Sequence, residues 1–251
     1  MPYQCNGCRK FFSVRTGTVM ERSKIPLQKW VFAIYMWATS LKGISSMRLH
    51  RDLKITQKSA WFMAHRLREA FVQNDGIFAG PAEADETYVG GLERNKHKSR
   101  KLNAGRGGVG KSAVVGIKDR DTNEVRAQVV KRTDKKTLQD LVVSNTVKDA
   151  VIYTDDNRAY TGLKNHEVVK HSASEYVRGD IHTNGIESFW SMFDRAHMGT
   201  YHKMSKKHLQ RYVDEFVGRH NIRNKDTIDQ MSHIVGMMAG RRLTYTQLTG
   251  K

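Results

Sequence analysis

Between Ser112 and Tyr153 the chain reads strand, turn, strand, helix, strand, and that order restricts the sheet it can build. SAVVGIKD and EVRAQVVK are rich in β-branched residues and flank Arg120-Asp121-Thr122-Asn123, so they read as an antiparallel hairpin. Thr133 or Asp134 can cap a following helix that carries Leu138, Leu141 and Val142. The run AVIY then reads as a buried strand. A hairpin followed by a helical crossover calls for an α/β domain with a mixed sheet. ADETYVGG before the hairpin and HEVVKHS after AVIY supply further strands. Two amphipathic helices close the pattern, one with Ile186, Phe189, Trp190 and Phe193, the other from Ser205 with Leu209, Tyr212, Val213 and Phe216.

The upstream part is helical in texture. Pro26 suits a first helical position before LQKWVFAIYMWA. After a break at Leu41-Lys42-Gly43, Ser45 or Ser46 can cap a short helix, and Thr56 can cap a longer one. In the latter, Ala60, Ala64, Leu67 and Phe71 form one apolar stripe. Two helices joined by a tight turn read as a helix-turn-helix unit. Gln57, Lys58 and Ser59 would open its recognition helix, with Arg66 and Arg68 directed at phosphates. The expected division is residues 1–20, a helix-turn-helix region over 21–75, an α/β domain over 76–225, and a tail over 226–251 without a clear pattern.

Charge narrows the partners. Lys and Arg outnumber Asp and Glu by 43 to 25, a formal charge of +18. Such a balance points to a polyanion, either nucleic acid or an anionic membrane surface. The longest apolar stretch, Trp30 to Ala38, falls short of a membrane span, which needs roughly 20 residues. No secretory leader opens the chain. Double-stranded DNA and a cytoplasmic, nucleoid-associated location in a bacterium are therefore expected. Residues 92–112 form a Lys-, Arg- and Gly-rich loop, with Lys98, Arg100, Lys101, Arg106 and Lys111 placed to meet a phosphate backbone. Cys5 and Cys8 supply half of a four-ligand zinc site, and the next histidine is His50, so Zn²⁺ binding by this pair alone is not expected.

Against this basic background three acids stand out: Asp85 in ADETYVGG, Asp155 in VIYTDDNRAY and Glu187 in HTNGIESFW. Carboxylates with water and phosphate oxygens suit Mg²⁺ or Mn²⁺, and paired metals serve in-line displacement at phosphodiesters. Asp155 ends an apolar strand, where sites in α/β sheets gather. Asp156 and Asn157 compete with it, since the same residues can form an Asx turn. Asn184-Gly-Ile-Glu187 also reads as a capping box, with Glu187 turned back to the Asn184 amide. Asn184 could alternatively bond metal or substrate. Gly105 to Ser112 matches the P-loop pattern, but a β-rich segment follows it where a P-loop opens a helix, so a basic loop is expected. The histidines, His182 included, lack zinc-enzyme spacing, and no Ser/His/Asp or Cys/His set stands out.

Taken together, ADETYVGG, GRGGVGKS, VIYTDDNRAY, VKHSASEYV, the long segment from HTNGIESFW to HNIRN, and the upstream GTVMERSKIPLQKWVFAIY resemble insertion-sequence transposases of the ISXO-like family. The resemblance runs over about residues 3–224. It implies a ribonuclease-H-like catalytic domain, with Asp85, Asp155 and Glu187 as a DDE triad holding two Mg²⁺ or Mn²⁺ ions. It further implies binding of terminal inverted repeats, strand cleavage and strand transfer, and a homo-oligomer on transposon ends and target DNA. Family members begin with a zinc ribbon of two Cys-x-x-Cys pairs. Residues 1–20 retain one, as a ribbon remnant, and Met1 is compatible with an internal start. Two other readings remain: a helix-turn-helix regulator without catalysis, and a structure-selective nuclease of the same fold.

Overall fold

A computed structural model describes residues 3–72, 76–91, 95–102, 108–169 and 182–250. The chain divides into two compact units, Met1–Val72 with Ile222–Lys251, and Gln73–Asn221. In the first unit lie the short antiparallel strands β1 (Tyr3–Gln4) and β2 (Phe11–Phe12), then α1 (Leu27–Thr39), α2 (Ser46–Leu53) and α3 (Gln57–Ala70). The second unit holds β3 (Ala82–Val89), β4 (Ser112–Asp119), β5 (Val125–Val130), α4 (Lys135–Asn145), β6 (Ile152–Thr154), β7 (His166–Val168), α5 (Asn184–Ala196) and most of α6 (Leu209–Ile222). Two further helices, α7 (Thr227–Met237) and α8 (Tyr245–Thr249), return to the first unit. Among the described residues no helix is long and apolar enough to cross a membrane.

In the first unit, local chemistry sets the helix ends. Ser45 Oγ accepts from the Arg48 amide at 3.2 Å and starts α2, and Thr56 Oγ1 accepts from Ser59 N at 3.2 Å and starts α3. Between them Lys54 adopts a left-handed conformation (φ 48°), which makes the turn tight. The stripe Ala60, Ala64, Leu67 and Phe71 is buried with Trp30, Trp37, Leu49 and Met63. The expected featureless tail is corrected: Asp226 caps α7 by accepting from Asp229 N at 2.8 Å, and Ile234 and Met238 enter this same core. Thr18 and Ala239 also pair as an isolated bridge. Only Ile234 of α7 is fully buried, so its apolar periodicity is too weak to read from the sequence.

The second unit is built on one mixed sheet in the order β5-β4-β3-β6-β7. β3, β4 and β5 pair antiparallel, while β6 and β7 run parallel to β3. The sheet and its helices are consistent with a ribonuclease-H-like domain. The strand that begins at Ser112 excludes the P-loop reading, which needs a helix there. Strand alternation divides the apolar side chains between two cores. Val89, Val114, Val125 and Ala127 cluster with Ile186, Phe189, Phe193, Val213 and Phe216 of α5 and α6. Ala82, Ala84, Val115, Ile117 and Ile152 cluster with Leu138, Leu141 and Val142 of α4. Each fully buried Val, Leu, Ile or Phe contributes about 1.5–3 kcal/mol, so a slip of one residue would cost both cores together. Gly116 has a specific reason to be glycine: a Cβ there would lie 2.5 Å from Trp190 Cζ2.

Candidate active site

The parallel pairing of β3 and β6 places two of the three acids. Ala82 is level with Ile152 and Glu83 with Tyr153; continued by two residues, the register sets Asp85 level with Asp155. Asp155 follows the last residue of β6, at the carboxyl end of the parallel strands. Asp155 Oδ1 accepts from Asn157 N at 3.1 Å, so the Asx turn forms at the residue proposed as a ligand. Asp85 Oδ1 accepts from Glu86 N at 2.8 Å.

Burial pushes the Asp85 carboxyl up to about 7, and the charges of Asp155, Glu86 and Glu187 push in the same direction against the Glu86 amide bond. The three acids chosen from the sequence therefore share one electrostatic neighbourhood. Among the described residues, no three His, Cys, Asp or Glu side chains already converge as a metal cage. The donor set fits a hard divalent cation by its chemistry, since all three are carboxylates, and burial, with neighbouring negative charge, raises one of them toward neutral pH.

Glu187 lies in the exposed first turn of α5, and the capping arrangement differs from expectation. Thr183, not Asn184, is the N-cap residue, and its side chain makes no cap bond. Thr183 Oγ1 donates to Glu187 Oε1 at 2.8 Å. Asn184 is the first helical residue and is exposed. The helix's free amide is met from the sheet: Ile186 N donates to Glu83 Oε2 at 2.8 Å.

Glu83 and Glu86 are the residues that sequence reasoning missed. Glu83 is 1% exposed and accepts from Arg120 Nε at 2.9 Å through its other oxygen. His182 stands beside this pair, with Nδ1 3.5 Å from Glu83 Oε1. Glu86 belongs to the opposite face of β3 and accepts from Tyr160 Oη at 2.6 Å and from the Asn157 side-chain amide. Burial raises its carboxyl as well. The available signal was the spacing in AEADETYV: acids on both sides of Asp85, within a strand whose alanines enter a core.

The residues expected at DNA divide differently. Lys98 and Lys101 are exposed, and Lys111 is half-buried near Asp194. Gln57 Nε2 donates to Ser46 Oγ at 3.1 Å, Ser59 Oγ accepts from Thr56 Oγ1 at 2.9 Å, and Lys58 Nζ lies 4.9 Å from the Tyr245 ring centroid. Arg66 is a correction. It is 8% exposed, donates to the carbonyls of Leu243 (3.2 Å) and Glu21 (2.9 Å), and stacks on Phe62, so its guanidinium serves the fold of its own unit. Arg68 is likewise buried, over Trp37. Arg100 lies in the short helical turn Lys98–Arg100, and Arg106 lies outside the described residues. Cys5 and Cys8 sit in the turn between β1 and β2, where backbone and side-chain hydrogen bonds from Cys8 and the Gly7 amide hold the Cys5 thiol below its ordinary range.

Residues 77–221 match the ISXO2-like transposase domain, a span from just before β3 to the last residue of the second unit. Over 237 residues the chain is 31% identical to an uncharacterized protein in transposable element ISH50 of Halobacterium salinarum, covering 89% of this chain and 79% of that protein. The domain match takes in all three acids, and the longer match reaches beyond it into the first unit. By both measures, the chain belongs to the ISXO2-like transposase family.

Proposed function

We propose that this transposase-family chain binds the terminal inverted repeats of its own insertion sequence and cleaves and rejoins DNA strands at Asp85, Asp155 and Glu187. One observation carries the reading: Asp85 is desolvated and feels the charges of both Asp155 and Glu187, at the carboxyl end of the parallel strands. The three carboxylates would hold Mg²⁺ or Mn²⁺, as a pair of ions. Such a cation, when bound, stabilises charge on the attacking and leaving oxygens of an in-line displacement. The protein's own task is placement. In this reading β3 and the end of β6 would present Asp85 and Asp155 side by side, and α5 would add Glu187 from its exposed first turn. No nucleophilic side chain is required, so no covalent protein–DNA intermediate forms.

DNA is held by charge. Lys98, Arg100, Lys101, Arg106 and Lys111 line the basic segment before β4, and α2 with α3 supplies a helix-turn-helix whose second helix opens with Gln57, Lys58 and Ser59. Assembly of several copies on paired ends follows from the family reading. Asp155→Asn tests the assignment: strand cleavage and transfer should vanish while binding of end DNA stays near that of the wild type. Normal transfer by this variant would sink the proposal. Specific DNA binding without any divalent-metal-dependent nicking by the wild type would favour a regulator instead.

A further inference from the structure

From the hydrogen bonds around β3 we infer that Glu86 is a positioning residue that orients Asp155 through Asn157, and is not itself a metal ligand. The inference rests on the assignment of Asp155 to the catalytic set. Glu86 is adjacent to Asp85 in sequence, and by residue type alone it could be taken for a fourth ligand. Strand alternation argues otherwise. Residues 82, 84 and 86 share one face of β3, and Ala82 and Ala84 are buried in the core formed with α4. On that face Tyr160, fully buried in the same core, donates its hydroxyl to Glu86 Oε2 at 2.6 Å. Glu86 Oε1 accepts from the Asn157 side-chain amide. Both carboxylate oxygens are thus occupied by donors from one short segment, Asn157 to Tyr160.

Asn157 is the link. Its side chain reaches Glu86, its backbone N–H donates to Asp155 Oδ1 at 3.1 Å, and its Oδ1 accepts from Ala159 N at 3.0 Å. Asp155 lies one residue past β6, and ladder hydrogen bonds join backbone groups, not carboxylates. Two successive hydrogen bonds, Glu86 to Asn157 and Asn157 to Asp155, supply a restraint on its carboxylate from the strand bearing Asp85. Partners of this kind, one bond removed from a ligand, orient it and tune its affinity.

Three variants separate the roles. Glu86→Gln keeps the shape and can keep both hydrogen bonds, because a side-chain amide can accept from Asn157 and donate to the Tyr160 oxygen. Glu86→Ala removes both. Asp155→Asn is the ligand control. Mn²⁺ affinity is measured by calorimetry on the free protein, and end-DNA cleavage is measured beside it. Expected is Glu86→Gln within about threefold of the wild type, and Glu86→Ala weaker by roughly 10–100-fold in Mn²⁺ affinity and cleavage with unchanged DNA binding, the range for such outer partners. Glu86→Gln as defective as Asp155→Asn would make Glu86 a ligand and overturn the inference. Wild-type behaviour of Glu86→Ala would overturn it too. Amide exchange over 155–160, read without metal or DNA, judges the restraint even where the transposase reading fails. Faster exchange in Glu86→Ala but not in Glu86→Gln supports it, and unchanged exchange in Glu86→Ala refutes it.

Discussion

Asp85, within β3, and Asp155, the residue just past β6, fall level when the parallel register of Ala82 with Ile152 and Glu83 with Tyr153 is continued by two residues, although seventy residues separate them in sequence. Burying the Asp85 carboxylate, with the like charges of Asp155, Glu86 and Glu187 close by, opposes folding. The shift of Asp85 expresses this cost.

That shift predicts a pH-dependent gain from removing the charge. Asp85 titrates near 3.8 when unfolded and at about 7 when folded. At pH ~3 and below the group is protonated in both states and costs nothing; its cost grows as pH rises past 3.8 and is complete above 7. Asp85→Asn should therefore match the wild type at pH 3 and be more stable at pH 8. With partial solvent screening the gain is about 1–2 kcal/mol. Denaturant unfolding without divalent ions measures the difference. A variant less stable than the wild type at pH 8 would contradict the account. Mg²⁺ should raise the melting temperature of the wild type at pH 8 and leave that of Asp85→Asn nearly unmoved.

Gly116, paired with Asp85 across β3 and β4, sets how closely α5 approaches the sheet. An alanine Cβ would meet Trp190 Cζ2 at 2.5 Å and Ile186 Cδ1 at 3.0 Å. Both belong to the helix that carries Glu187. Gly116→Ala should cost about 1–3 kcal/mol by overpacking. Cleavage should fall further than the lost folded fraction explains, because Glu187 moves with the helix. Activity per folded molecule, with folded fraction from circular dichroism, distinguishes the two effects.

Two kinds of basic residue should behave oppositely. Lys98 and Lys101 are exposed, so replacing both with Ala should leave stability within about 0.5 kcal/mol. It should also flatten the salt dependence of DNA binding, by roughly 0.9 in log–log slope for each phosphate no longer neutralised. Arg66→Ala should instead destabilise the protein by about 2–3 kcal/mol, since it removes a buried guanidinium bonded to two carbonyls. Its salt slope should match the wild type. An Arg66→Ala variant with wild-type stability and a flatter slope would restore the phosphate role read from the sequence.

How much was legible follows from the range of the interactions. The strands of the five-stranded sheet, the hairpin at Arg120–Asn123 and the cap at Thr56 were readable, since each rests on neighbouring residues, while Ser45 and Asp134 were each one of two adjacent candidates. The place of Asp155, just past an apolar strand, was readable too. Arg66 was misread: its place on α3 is clear from periodicity, but the carbonyls it serves belong to Glu21 and Leu243, the latter 177 residues away. Glu83 and Glu86 were passed over for the same reason. Their partners, Ile186, Arg120, Asn157 and Tyr160, come from distant segments, and nothing local marks an acid in a strand as a brace. The Thr183–Glu187 bond was nearer to hand, yet a one-residue shift of the helix start separates it from the capping box expected.

The two braces on β3 should respond differently to one conservative change, and hydrogen-bond direction decides which suffers. Glu83 is held by Ile186 N–H and Arg120 Nε–H, groups that only donate. In Glu83→Gln the single amide oxygen can serve one of them, and the amide nitrogen then faces the other, donor against donor. The Arg120 charge also loses its buried partner. Leaving one member of a buried pair uncompensated costs about 3–5 kcal/mol, with the lower end expected because Arg120 is 17% exposed at its side chain. Glu86 differs because Tyr160 Oη can accept as readily as it donates. Glu86→Gln should therefore cost less than about 1.5 kcal/mol, the size of one ordinary hydrogen bond. Equilibrium unfolding of the two variants side by side tests the ordering. Equal losses would mean that burial alone, and not donor and acceptor matching, governs these acids. A larger loss for Glu86→Gln would show that the Asn157–Tyr160 segment depends on a full negative charge.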